Sequence, residues 1–227
     1  MTPEAVAARS GKKAVPVQPK KLAAGAVLLA LTAWIFWPSP LANLTNLRSR
    51  GSSLIAFGDS LTAGYGATLP EAYPARLSSM IGAEVINAGV SGDTTESARE
   101  RLDRDVLSRE PRIVIVGLGG NDFLRAVAIA ETESNLRTIV RKIHSAGSMV
   151  VLLGYRFPSF KANYEAMYER VAEEEGALLI PDLLDGITSN RALKSDEIHP
   201  NARGYQLMAE RIAGPLRKLI GKADSLR

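Results

Sequence analysis

The chain of 227 residues contains no cysteine. That excludes disulfides, thiolate nucleophiles and cysteine metal sites, and it leaves the redox compartment open. Histidine is nearly absent as well, with only His144 and His199 present. There is no His-Glu-x-x-His pair and no P-loop, and Thr62 stands where a Gly-x-Ser-x-Gly elbow would need its last glycine. No internal repeat is visible. An excess of positive charge is missing from most of the chain too. The formal charge is +4, but residues 1–50 carry seven Lys/Arg against one acid, and residues 51–227 carry 21 Lys/Arg against 23 acids. The larger part is therefore mildly acidic, at 21 − 23 = −2, and offers nucleic acid no basic surface.

A full-length membrane span is also lacking. Leu22 to Trp37 is free of charge for sixteen residues. At about 1.5 Å per residue this covers roughly 24 Å, short of a hydrocarbon core of about 30 Å. Residues 1–21 form a basic tail expected to be disordered, and Pro38-Ser39-Pro40 ends the apolar run. Two readings compete. A cleaved signal peptide would be cut best after Ala42, which places Pro40 three residues back, a poor fit. An uncleaved anchor suits Trp34 and Trp37 at the outer end. The anchor is the preferred expectation: the domain is exported to the periplasm or another extracytoplasmic side, held at the inner membrane by residues 22–37. Residues 38–52 read as a linker and 222–227 as a C-terminal tail.

From residue 53 to 221 the pattern alternates. Five short apolar runs read as strands: 53–57, 83–87, 112–118, 149–153 and 177–180. Between them lie helical periodicities. Leu136, Ile139, Val140 and Ile143 form one stripe; Phe160, Tyr164, Met167, Tyr168 and Val171 form another. A last helix is expected from Asn201 to Ile220, kinked at Pro215. Alternation of this kind predicts βαβ units, hence an α/β fold with a parallel sheet covered on both faces.

Ligands of such sheets bind at the carboxyl edge of the strands. The first three strands run into glycine-bearing polar loops there: 58–66 (GDSLTAGYG), 87–94 (NAGVSGDT) and 117–122 (GLGGND). Topology alone therefore draws Ser60, Gly92 and Asn121 together. A serine hydroxyl needs a base, and the base needs an orienting group. His144 lies near the end of a helix and reads as an exposed residue favourable to the dipole. His199, in Asp196-Glu197-Ile198-His199-Pro200, is held out of helix by Pro200 and has Asp196 three residues before it. Ser60, His199 and Asp196 complete a nucleophile, base and orienter. The amides of Ser60 and Gly92 and the Asn121 carboxamide are candidate donors to an oxyanion.

These four blocks, with SDEIHPN at 195–201 as the last, resemble the SGNH (GDSL-type) serine hydrolases, in particular their bacterial arylesterase, acyl thioesterase and lysophospholipase branch. The resemblance spans roughly residues 53–220. It implies a three-layer α/β/α sandwich, flavodoxin-like, with a five-stranded parallel sheet and neither cofactor nor metal. It also implies a Ser60–His199–Asp196 triad and an oxyanion hole of Ser60, Gly92 and Asn121, with Gly92 rather than Gly89 as the glycine donor. Leu124, Phe157 and Phe160 are candidates for an apolar acyl or aryl pocket, with plain core packing the competing reading. Asp59, Thr62, Asp93, Thr94 and Asp122 are expected to be structural, and Asp93 with Glu96 to start a helix.

The expected activity is hydrolysis of a small-molecule ester, thioester or lipid. Removal of acetyl groups from an envelope polysaccharide is the alternative enzyme reading, and a non-catalytic ligand-binding domain the alternative outside enzymes.

Overall fold

A computed structural model of the chain describes residues 41, 43–156 and 161–227. The apolar segment 22–37, Phe157 and Phe160 lie outside the described residues. Among the described residues no helix is long and apolar enough to cross a membrane.

Five parallel strands make one sheet: β1 (Ser53–Gly58), β2 (Val85–Gly89), β3 (Pro111–Gly117), β4 (Met149–Leu153) and β5 (Leu178–Ile180), in the order β2-β1-β3-β4-β5. The three central strands are apolar on both faces because helices cover both. Ile55, Phe57, Ile113, Ile115, Val151 and Leu153 are wholly buried. Each such side chain contributes about 1.5–3 kcal/mol by leaving water. One face carries α2 (Tyr73–Ile81) and α7 (Ala202–Asp224), which pack on each other. The other carries α3 (Thr95–Asp105), α5 (Ile129–Ser145) and α6 (Lys161–Glu175). Two short helices, α1 (Ser60–Ala63) and α4 (Gly120–Leu124), stand at the carboxyl ends of β1 and β3. The expected five-stranded α/β/α architecture is thus present. With β2 on one side of β1 and β3 on the other, the chain reverses its direction of travel between β1 and β3, where crevices open in such sheets.

Several elements differ in detail from expectation. β2 begins two residues later than the apolar run and extends through Asn87-Ala88-Gly89, which pair with Ala56, Phe57 and Gly58. Those residues resemble a turn, yet the edge strand needs them. A Cβ on Gly89 would lie 2.2 Å from the Ala63 nitrogen, so only glycine lets α1 cross β2 this closely. Helix α3 is capped not by Asp93 with Glu96 but by Thr94, whose hydroxyl accepts from the Ser97 amide at 3.3 Å while Ser97 Oγ accepts from the Thr94 amide at 3.0 Å. The last helix, α7, continues through Pro215 to Asp224, past the expected end at Ile220, with Ile212, Leu216 and Leu219 buried.

Part of the stretch read as a linker is docked. The Thr45 amide donates to Gly176 O at 2.9 Å, and Asn46 Nδ2 donates to the carbonyls of His144 at 2.7 Å and Ser148 at 3.0 Å. His144, at this junction, is half-buried rather than exposed. Its Nε2 has no hydrogen-bond partner among the described residues, and burial lowers its pKa.

Candidate active site

Strand β1 delivers Ser60 to the first position of α1. Asp59 caps that helix, its Oδ1 accepting from the Leu61 amide at 3.0 Å. The Ser60 amide, one of the four that a helix start leaves unbonded, has no protein acceptor among the described residues. Gly92 occupies the turn after β2 with φ +87°, a left-handed conformation that favours glycine. Its amide is likewise unclaimed, and its carbonyl accepts from Arg125 Nη2 at 2.8 Å. Asn121 lies in α4, after β3. Its Nδ2 donates to Asp93 O at 2.9 Å, leaving the second N–H with only a 3.5 Å approach to Asp59 Oδ2.

The opposite wall is the loop before α7. Here Lys194 and Pro200 form an antiparallel bridge, and the Ser195 amide donates to His199 O at 2.9 Å. Asn201 anchors the loop's end. It caps α7 through the amides of Arg203 and Gly204 at 3.0 and 3.2 Å, and its Nδ2 donates back to Ala192 O and Lys194 O. Within this closed loop Asp196 Oδ1 accepts from the amides of Ile198 and His199 at 2.8 and 2.7 Å. Its Oδ2 lies 2.8 Å from His199 Nδ1, and His199 Nε2 lies 3.0 Å from Ser60 Oγ. The two backbone amides, the His199 amide foremost, followed by the imidazole, hold the Asp196 carboxyl down at about 2. The three expected residues therefore stand in one hydrogen-bonded line across 139 residues of sequence.

A cavity of about 510 Å³ opens over Ser60 and His199. Gly92 and Asn121 border it, so all three expected donors share one chamber with the serine. Leu124 is on its wall and half exposed. Leu61, Tyr155, Leu184 and Ile198 make up much of the remaining apolar lining. Among the described residues no group of three or more His, Asp or Glu could hold a metal ion.

The polar residues expected to be structural make specific ties. Asp122 is buried and accepts from the Thr95 amide at 2.9 Å and from Thr95 Oγ1 at 2.5 Å, joining the third block to the start of α3, just after the second. Thr62 Oγ1 meets the Tyr73 hydroxyl at 3.1 Å. Asp59 is 2% exposed, and burial first, with the charges of Asp93 and Asp122 adding to it, pushes its carboxyl up to about 7.

Residues with no motif to announce them also shape the site. The Tyr65 ring lies 4.5 Å from the His199 imidazole, and the Tyr65 carbonyl is held by the Tyr205 hydroxyl of α7 at 2.8 Å. Arg101 of α3 is buried beneath the second block, ion-paired to Asp93 at 2.6 Å. No spacing signal marks either one. Tyr65 falls inside the first block without a role of its own, and Arg101 looks like any helical arginine.

Comparison with known proteins identifies the family. The model of the GDSL-like Lipase/Acylhydrolase family matches residues 56–207. The thioesterase 1/protease 1/lysophospholipase L1 of Escherichia coli K12 is 31% identical over 195 residues, covering 81% of this chain and 94% of that protein. Among solved structures, TesA superposes with a TM-score of 0.71 at 29% identity, over 74% of this chain and 99% of TesA. AlinE4, an SGNH-hydrolase family esterase, superposes at 0.60 with 35% identity, over 75% and 98% of the two chains. On the family match, the shared sheet and the four blocks, this chain belongs to the GDSL-like lipase/acylhydrolase family of ester-hydrolysing enzymes.

Proposed function

We propose that the chain is a serine esterase that hydrolyses carboxylic esters or thioesters through an acyl-enzyme on Ser60. One observation supports this above others: the Asp196–His199–Ser60 line at 2.8 and 3.0 Å opens on the chamber bordered by Gly92 and Asn121. In the first half-reaction His199 Nε2 takes the Ser60 proton while Oγ bonds to the substrate carbonyl carbon. The carbonyl oxygen becomes an oxyanion facing the Ser60 and Gly92 amides and the second Asn121 N–H, which gives up its long 3.5 Å approach to Asp59 Oδ2, donors of a kind worth about 10²–10³ in rate each. The intermediate collapses, the bond to the alcohol or thiol breaks, and the leaving group takes the proton from His199. In the second half-reaction a water gives its proton to His199 and its oxygen to the acyl carbon. Collapse then releases the acid and returns the proton to Ser60. Asp196 fixes the imidazole tautomer and stabilises the imidazolium in both halves.

The size of the chamber and its apolar walls, Leu61, Leu124, Leu184 and Ile198, favour an acyl group longer than acetyl. This ranks an ester, thioester or lysophospholipid above an acetylated polysaccharide. The charge-free run 22–37 beside its lysines further supports an exported, membrane-held placement.

The test is turnover of p-nitrophenyl esters of two, four, eight and sixteen carbons by the full chain, beside Ser60→Ala. Turnover that rises beyond two carbons and disappears in the variant is expected. Activity retained by Ser60→Ala would refute the mechanism, and activity on acetyl esters alone would select the deacetylase.

A further inference from the structure

The three candidate donors come from three separate segments, and nothing in the Ser60–His199–Asp196 line holds those segments in mutual register. One buried cation reaches two of them and, through its ion-pair partner, the third. Arg101 is 8% exposed, and its guanidinium lies 4.5 Å from the Phe57 ring of β1. Its Nη2 donates to Gly58 O at 3.0 Å, two residues before Ser60. Its Nη1 donates to Ala88 O at 3.0 Å, at the end of β2, and also to Asp105 Oδ2 at 3.2 Å. Its Nε donates to Asp93 Oδ2 at 2.6 Å, one residue after Gly92. Asp93 in turn presents its own carbonyl to Asn121 Nδ2 at 2.9 Å.

We propose that Arg101 is a positioning residue for the oxyanion hole, a rigid fork that sets the Ser60 amide, the Gly92 amide and the Asn121 carboxamide at one another's distance. It touches no substrate; it acts through Gly58, Ala88 and Asp93. The planar guanidinium is essential to this role, because three nitrogens point at acceptors in three directions. A lysine ammonium keeps the charge but concentrates its donors on one atom and cannot span Gly58 O, Ala88 O and Asp93 Oδ2 together. Misplaced donors weaken the bond to the oxyanion, which exists only once the carbonyl has been attacked, and leave ground-state binding nearly untouched.

The proposal rests on the serine-esterase reading, and the experiment separates the two. The full chain, Arg101→Lys, Asp93→Asn and Ser60→Ala are compared on p-nitrophenyl butyrate, and the first three are titrated with an alkyl trifluoromethyl ketone, which forms an oxyanion adduct with an active serine. Arg101→Lys is expected to lose about 10–100-fold in kcat with KM within about threefold, and ketone affinity is expected to fall by the same factor as kcat/KM. Asp93→Asn, which weakens one arm only, should lose less in the same proportion, and it stands in should Arg101→Lys fail to fold. A variant that unfolds at lower urea yet keeps wild-type kcat and ketone affinity would reduce Arg101 to a structural residue and overturn the proposal. Turnover by Ser60→Ala would instead overturn the esterase reading itself.

Discussion

Replacing Asp59 by Asn should make the protein more stable at alkaline pH and remove much of its pH dependence. Asp59 is buried against the base of the pocket, with its Oδ1 occupied by the Leu61 amide and its Oδ2 no closer than 3.5 Å to Asn121 Nδ2. Burial, with Asp93 and Asp122 nearby, lifts its carboxyl from 3.8 to about 7. The folded protein thus binds this proton more tightly than the unfolded chain does. Between pH 3.8 and about 7 the native state holds a proton that the unfolded state has lost, so stability falls as pH rises through that window. At about 1.4 kcal/mol per pH unit, the interval from 3.8 to 7 amounts to roughly 4 kcal/mol by pH 8. Asparagine keeps the acceptor for Leu61 and cannot ionise. Its new NH₂ would face that of Asn121, which offsets some of the gain. Urea unfolding of both proteins at pH 4.5, 6 and 8, analysed by linear extrapolation, measures the difference. Asp59→Asn should show the flatter profile and the higher midpoint at pH 8. Parallel profiles for the two proteins would show that Asp59 does not carry a displaced proton, and the reasoning would fail.

Two further outcomes follow from the same geometry. Asp196→Asn retains an oxygen for the Ile198 and His199 amides but turns an NH₂ toward His199 Nδ1, which imposes the wrong tautomer; kcat on p-nitrophenyl butyrate should fall by about 10³–10⁴ with the far-UV dichroism unchanged, and a loss below tenfold would contradict the role given to Asp196. Gly89→Ala places a Cβ 2.2 Å from the Ala63 nitrogen and should cost about 1–3 kcal/mol in urea unfolding, whereas a neutral substitution would show that α1 can move off β2.

Much of this was legible in the sequence because it depends on short runs. β1, β3 and β4 are apolar on both faces and announce themselves as continuous hydrophobic stretches within a residue of their observed bounds. The candidate-site residues Ser60, Asn121, Asp196 and His199 are legible because each sits in a short block with its own turn chemistry at a place where the strand order predicts a crevice. What could not be read depends on partners distant in sequence. Asn87-Ala88-Gly89 have turn composition, and only the edge position of β2 and the crossing of α1 make them strand. The His144 carbonyl is held by Asn46, 98 residues earlier. Tyr65 is held by Tyr205, 140 residues later. Arg101 needs acceptors from Gly58 at the end of β1 and from Ala88 and Asp93 in the second block, and no helical periodicity separates it from the exposed Arg104 one turn on.

The expensive features of this fold are concentrated behind the donors rather than among the groups that would meet substrate. Asp59, Asp93, Arg101 and Asp122 are all buried; burying a charge costs several kcal/mol before any partner repays it, and Asp59 meets that cost by holding a proton up to about pH 7. Well-packed apolar side chains in their places would often make a more stable protein. Such side chains would offer the backbone nothing to bind, however. Three of the four polar side chains hydrogen-bond the main chain of a loop that carries or adjoins a donor, Asp59 at Leu61, Arg101 at Gly58 and Ala88, Asp122 at Thr95, and the fourth, Asp93, ion-pairs Arg101. The apolar core holds strands and helices but not the orientation of three peptide or amide N–H groups at the sheet's edge. A site whose chemistry depends on those orientations therefore needs polar groups in its foundation. The proton on Asp59 and the fork of Arg101 are where that need shows as a measurable loss of stability or of rate.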